Sequence, residues 1–486
     1  MTDSQQVVST PIFVQALPGK FYTNAHEVLY MIAKPLQLQL PCRPFIVTPN
    51  IEKASDDGMQ HQKNKINPRD RAIHDWYRFV LSFPPHLVRK YIQEFQLDNR
   101  HTLLDPFCGT GTTLVEAKFN MIRAIGLEAN PFPYFASTVK TDWTIDPEAL
   151  ASQSHRIADK VMNQLLAQGI NDNRPYTGKI HDLSLRNLNP EAASLIIKNS
   201  ISPLPLHKVL VLLECLEKHK NEPYYRHALL GLANALLYAI SNLRFGPEVG
   251  VGKEKDDVAV IPSWLLEVNK IAEDISSLNA KDYAQTQVYF ADARRIADVI
   301  EPNSIDAVIT SPPYPNEKDY TRTTRLESVI LGFIRNKNEL RGFKKGLIRS
   351  NTRGIYTADD DDQWVAQHAE IQRVAEQIEQ RRLELGKTSG FEKLYQKVTR
   401  LYFGGMALHL AQLRPLLRPG AQLAYVVGDQ ASYLRVMIRT GQLLADIATH
   451  LGYELMRIDL FRTRFATATR VELREEVVLL RWPGQK

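Results

Sequence analysis

The stretch from His101 to Glu128 constrains the fold more than any other part of the chain. Apolar Leu103 and Leu104 run into Asp105, and the Gly-rich segment Pro106-Phe107-Cys108-Gly109-Thr110-Gly111 follows at once. This is a strand that closes on an acid and turns into a helix, predicted to begin near Thr112 or Thr113. Gly109 and Gly111 let backbone N–H groups approach a ligand with no Cβ in the way. About twenty residues on, a second apolar run, Ala124-Ile125-Gly126-Leu127, ends in Glu128, the place from which a carboxylate binds ribose hydroxyls in doubly wound sheets. The chain has neither G-x-G-x-x-G nor a Walker lysine here, so a nucleoside cofactor is expected rather than a dinucleotide or ATP.

A second motif specifies chemistry. The apolar run Ile305 to Thr310 ends in Ser311-Pro312-Pro313-Tyr314. The Ser311 hydroxyl and the Pro312 carbonyl offer two acceptors for one NH₂ group, since proline has no N–H to compete. Tyr314 supplies a flat face on which a heterocycle can stack. The tetrad therefore predicts a pocket for the exocyclic amine of a base.

Taken together, the two motifs resemble the S-adenosylmethionine-dependent DNA amino-methyltransferases, which methylate cytosine N4 or adenine N6. The resemblance implies an α/β fold, a Rossmann-like doubly wound methyltransferase sheet with helical insertions. It also implies S-adenosylmethionine held by Asp105, Pro106, Phe107, Gly109, Gly111, Thr112 and Glu128, with Asp292, after Val288-Tyr289-Phe290, on the adenine amine. Ser311, Pro312, Pro313 and Tyr314 then form the catalytic pocket. Phe83-Pro84-Pro85-His86 is similar to the family's segment over the methionine end of the cofactor, Leu417-Arg418-Pro419-Gly420 to a sheet turn, and Arg470 to Leu480 to a final hairpin strand. A leading Ser goes more often with cytosine N4, so cytosine is favoured and adenine N6 is the alternative. An RNA guanine-N2 methyltransferase and a catalytically idle DNA-binding subunit of a defence complex are further alternatives. DNA is the implied partner, and a cognate restriction endonuclease or defence-system partner is compatible with this class.

Composition agrees. The 486 residues are 44% hydrophobic and 23% charged, which describes a globular chain with a sizeable core. No signal-peptide pattern or spanning apolar run is evident, and a cytoplasmic protein is expected. Cys42, Cys108 and Cys215 lack C-x-x-C spacing, so neither a disulfide framework nor a cysteine zinc site is indicated, and the mechanism calls for no metal. Pro41-Cys42 imitates the nucleophile of cytosine-C5 methyltransferases, but an amine pocket would serve no purpose in that mechanism.

Residues 317–356 carry ten Lys and Arg against four acids, an excess that equals the +6 of the whole chain. The segment leaves the amine pocket directly, and Arg322, Arg325, Lys344 and Lys345 are expected to contact DNA phosphates. The expected organisation is an N-terminal arm or small subdomain (1–68), then methyltransferase parts at 69–145, 284–316 and 401–486. A helical insertion with a loop at Asn242 to Glu248 fills 146–283, and a basic, helical insertion fills 317–400, with a solvated acidic turn at Asp359 to Asp362 and a helix from Trp364 to Leu385. Either insertion could read DNA.

Overall fold

All four residues of β1 (Thr102–Asp105) are buried, as suits a strand covered on both faces at the middle of a parallel sheet. The computed structural model describes residues 67–78, 82–246, 248–278, 282–316, 318–466 and 470–484. Cys42 and nearly all of the expected arm lie outside them. On one side of β1 stand β2 (Arg123–Glu128) and then, beyond a separate hairpin of β3 (Leu243–Phe245) and β4 (Val249–Val251) in the chain, β5 (Thr286–Phe290). On the other side stand β6 (Ile305–Thr310), β7 (Leu417–Gly428), β9 (Val471–Arg481) and β8 (Glu454–Ala466). The order is β5-β2-β1-β6-β7-β9-β8, parallel from β5 to β7, with β9 antiparallel to both its neighbours.

The mixed α/β architecture is thus the Rossmann-like sheet that the motifs imply. After β5 the chain crosses to the far side of β1, so successive connections diverge between β1 and β6. A crevice opens at such a switch point, at the carboxyl ends of the strands. Asp105 and Thr310 end the two strands that flank it, and Glu128 ends β2.

Helices cover the sheet where the apolar spacing places them. Helix Pro147–Leu166 starts on Asp146, whose side chain accepts the Glu148 N–H, with Pro147 in the first turn, and it buries Leu150, Ile157, Val161 and Leu165 on one face. With Pro203–Glu217, Tyr225–Ala235 and Val260–Ser276 it builds a core shared with Phe132, Phe135 and Val139 of the sheet-covering helix Pro131–Lys140. Among the described residues, no helix is long and apolar enough to cross a membrane.

Three local expectations change. Leu417 to Gly420 does not turn: it begins β7, with a register shift against β6 that Gly420 absorbs at φ +90°. The stretch from Asn242 to Glu248 is largely the first arm and turn of the β3–β4 hairpin rather than an irregular loop. The acidic run is not a solvated turn either. Asp359 pairs with buried Arg349, ten residues earlier, and Asp361 pairs with Arg294, brought in from a distant segment. The helix that follows is accordingly shorter, Ala369–Glu384.

Helix Tyr395–Leu413 lies so close to this run that a Cβ on Gly404 would sit 2.0 Å from the Asp361 carbonyl oxygen. Gly404→Ala should therefore destabilise the protein by about 1–3 kcal/mol. Gly342, inside helix Lys337–Lys344, has nothing within 4 Å of its Cβ position, so Gly342→Ala should stabilise by about 0.5–1 kcal/mol. Urea unfolding of the two variants should move the midpoint in opposite directions.

Candidate active site

The turn after β1 is fastened from below. The Asp105 carboxylate, fully buried, accepts the Phe107 N–H (3.1 Å) and the Thr310 hydroxyl (2.6 Å), so the end of β1 is tied to the end of β6. Burial pushes its carboxyl up to about 6. In the first turn of helix Thr112–Phe119, Thr113 donates to the Ile309 carbonyl at 3.2 Å. These bonds fix the path of Pro106 to Gly111 against two strands at once.

Above this base, Glu128 latches the loop. Its Oε2 accepts the Gly109 N–H (3.0 Å) and its Oε1 the Asn130 N–H (2.7 Å). Burial pushes the Glu128 carboxyl up to about 7, against the pull of those two donors. Gly109 is at φ +51° with no atom within 4 Å of its Cβ position, which leaves the backbone open to a ligand. Gly111, at φ +86°, serves packing instead: a Cβ there would meet Ser137 at 3.2 Å. Phe107 rests edge-on against His409 (4.9 Å), which donates from Nδ1 to the Ala293 carbonyl and accepts the Tyr425 hydroxyl.

Pro106, Phe107, Gly109, Thr112, Glu128 and Asp292 line one cleft of about 340 Å³, and Ser311 to Tyr314 line the same cleft. Asp105 and Gly111 stand behind its wall, where they shape the loop. Phe83, just ahead of helix Pro85–Glu94, also reaches the cleft. Asp292 is heavily engaged: it accepts the Arg294 N–H (2.9 Å) and the Arg294 guanidinium (2.7 Å). An ionised carboxylate nevertheless has lone pairs for a further donor.

The expected amine pocket is shaped by β7. The Ser311 hydroxyl donates to the Val426 carbonyl at 3.3 Å, which leaves the oxygen lone pairs as acceptors. The Tyr314 ring lies over Gly428, where a Cβ would stand 3.0 Å from Cε2. The Tyr314 N–H donates to the Tyr320 hydroxyl at 3.0 Å, which pins the Pro-Pro turn from the side. Neither Gly428 nor Tyr320 stands out in the sequence as a pocket residue, since Gly428 acts by contact across the fold and Tyr320, six residues after Tyr314, lies outside the motif.

The basic segment is less exposed than its composition suggests. Arg325 is buried and donates to the Thr321 carbonyl at 3.2 Å, and Lys344 is paired with Asp319 at 2.8 Å in the cleft wall. Of the four expected phosphate contacts, these two are thus engaged by other groups of the protein. Arg322 is half-exposed and Lys345 is exposed. Lys318, Arg462 and Arg464 line the cleft instead, and Arg462 is held by Glu475 at 2.6 and 2.9 Å.

The sheet order and the Gly-rich turn are those of a Rossmann-like methyltransferase fold. A family model for DNA methylases, of the N6/N4 type, matches residues 7–136, the part that contains the turn and Glu128. The chain is 25% identical over 475 residues to the Type II methyltransferase M.BsoBI of Geobacillus stearothermophilus, across 87% of this chain and 88% of that protein. It is 22% identical over 433 residues to the Type II methyltransferase M.AvaI of Nostoc sp. (strain PCC 7120), across 84% and 83%. Both similarities are long enough to include insertion sequence. Together with the site, these findings support the DNA amino-methyltransferase family, whose methyl donor is S-adenosylmethionine. The residues present fit that cofactor: an open glycine backbone, a carboxylate at the end of β2 and an aromatic wall share one cleft.

Proposed function

We propose that the protein methylates the exocyclic amine of a base at specific sites in DNA, with cytosine N4 as the target. One observation carries the reading: the cofactor-type loop and the Ser311–Tyr314 tetrad open into the same cleft at the switch point of the sheet. S-adenosylmethionine supplies an electrophilic methyl group on a sulfonium. Glu128 would accept the ribose hydroxyls, Asp292 the adenine amine, and the Gly109 backbone would take the cofactor at close range.

An aromatic amine is a poor nucleophile because its lone pair is delocalised into the ring. Ser311 Oγ and the Pro312 carbonyl would accept its two hydrogens, drawing the nitrogen toward a tetrahedral geometry and turning the lone pair toward the methyl group. Tyr314, backed by Gly428 and fixed by Tyr320, would hold the ring of a base swung out of the duplex. Alignment of this kind is worth about 7–11 kcal/mol in well-oriented systems. The neutral Ser311 is a weak base, so the displaced proton passes to solvent after transfer. The leading serine favours cytosine, and adenine N6 is the stated alternative product.

Digestion of DNA from cells that express the chain, followed by mass spectrometry, should show N4-methylcytosine. Ser311→Ala should abolish most transfer while leaving cofactor affinity unchanged, and Tyr314→Ala should weaken retention of the base by about 1–3 kcal/mol. Methylation at C5 would overturn the reading.

The Glu128 carboxyl, raised to about 7, must ionise to accept from ribose hydroxyls. Its ionised fraction rises from about one tenth at pH 6 to about nine tenths at pH 8, so calorimetry should find S-adenosylmethionine bound about tenfold more tightly at pH 8. In Glu128→Gln that part of the pH dependence should vanish.

Arg322 and Lys345 are the members of the expected phosphate set that remain accessible. Neutralising both to Gln should weaken DNA binding at all sequences alike and flatten the slope of log K against log salt by about 1.8, or 0.9 per contact. An unchanged slope would mean that the two side chains are merely solvated.

A further inference from the structure

Outside the cleft, two helices bring together a set of metal-ligating side chains. Asp446 and His450 stand one turn apart on helix Thr440–His450 and so share a face. Against them lies His368, the N-terminal cap of helix Ala369–Glu384, whose Nδ1 is 3.4 Å from the Ile371 N–H. His368 Nε2 is 3.1 Å from one Asp446 oxygen, and His450 Nδ1 is 3.8 Å from the other. The two imidazoles meet edge to face at 5.7 Å. One ligand atom from each of the three residues falls within 4.8 Å of the others.

Two details go beyond proximity. His368 Nε2 is shut off from solvent, yet its approach to Asp446 makes no well-aligned hydrogen bond, so a buried ring nitrogen is left unsatisfied. His450 Nδ1 lies 2.7 Å from the Asp446 backbone carbonyl, which can only accept, so Nδ1 carries the proton and Nε2 keeps its lone pair. A second ring N–H held by a backbone carbonyl is the usual support of a metal-bound histidine.

We propose that His368, Asp446 and His450 bind a divalent transition-metal ion of the zinc class, with solvent in the remaining position. Two imidazoles and one carboxylate suit zinc, whereas magnesium and calcium take oxygen donors. Tetrahedral zinc wants its donors about 3.3 Å apart, so the group must tighten on binding. The exposed members can do this: the Asp446 and His450 side chains are 51% and 37% accessible, while His368, at 11%, is the fixed point. Loss of the weak 3.4 Å cap bond at His368 Nδ1 accompanies the change. None of the three residues lines the cleft, so the ion's role is to clasp the second insertion to the helix beside β8 and β9.

The test uses the full chain without an affinity tag, stripped of metal and titrated with Zn²⁺ against a chromophoric chelator. One equivalent should bind, and His450→Ala and Asp446→Asn should each weaken binding by about tenfold or more. Excess Zn²⁺ should raise the thermal midpoint of the wild type and leave that of both variants unchanged. Their midpoints without metal show that the variants are folded. Absence of stoichiometric binding in the wild type, or equal binding in both variants, would overturn the proposal and leave a hydrogen-bonded clasp only.

Discussion

A carboxylate buried at the end of the central strand sets the geometry of the rest. Asp105 is costly to bury, and the donors that offset the cost come from Phe107 in its own turn and Thr310 at the end of the neighbouring strand. The bond to Thr310 fixes the separation of two strand ends where the sheet connections diverge. The cofactor-type loop starts from one of these ends and the Ser-Pro-Pro-Tyr segment from the other. Asp105 therefore shapes the site from behind the cleft wall.

The same economy governs charge. A count of residues 317–356 describes a strongly basic segment, but much of that charge is spent internally, on Asp319, Asp359 and the Thr321 carbonyl. A cation that closes a loop onto the sheet cannot also follow a phosphate backbone. What remains is the exposed set Arg335, Lys337, Arg341, Lys345 and Arg353 at the surface, with Lys318 and Arg464 in the cleft beside the Ser311–Tyr314 tetrad.

Much of this was readable from the chain because the informative residues are local. The strand–Gly turn–helix–acid pattern from Leu103 to Glu128 fixes its own conformation, and helix Pro147–Leu166 carries its cap, its proline and its apolar face within a few turns. Contacts across long separations were not readable. Asp361 looks solvated until Arg294 arrives from elsewhere in the fold, and Ser311 gives no sign that its hydroxyl meets the Val426 carbonyl. Gly428 belongs to the same group, whereas Tyr320 is near Tyr314 in the chain but follows no motif spacing that announces a role.

Gly428 and Val426 both lie on β7, more than a hundred residues beyond the tetrad they complete. A nascent chain that has only reached β6 holds the signature peptide, but its serine has no carbonyl to orient it and its tyrosine ring has no floor. β7 in turn needs β9 beside it to satisfy its outer edge. The surroundings of the tetrad are thus complete only once β7 and β9 have joined the sheet, so a chain that stops short of them would carry the motif without the contacts that shape it.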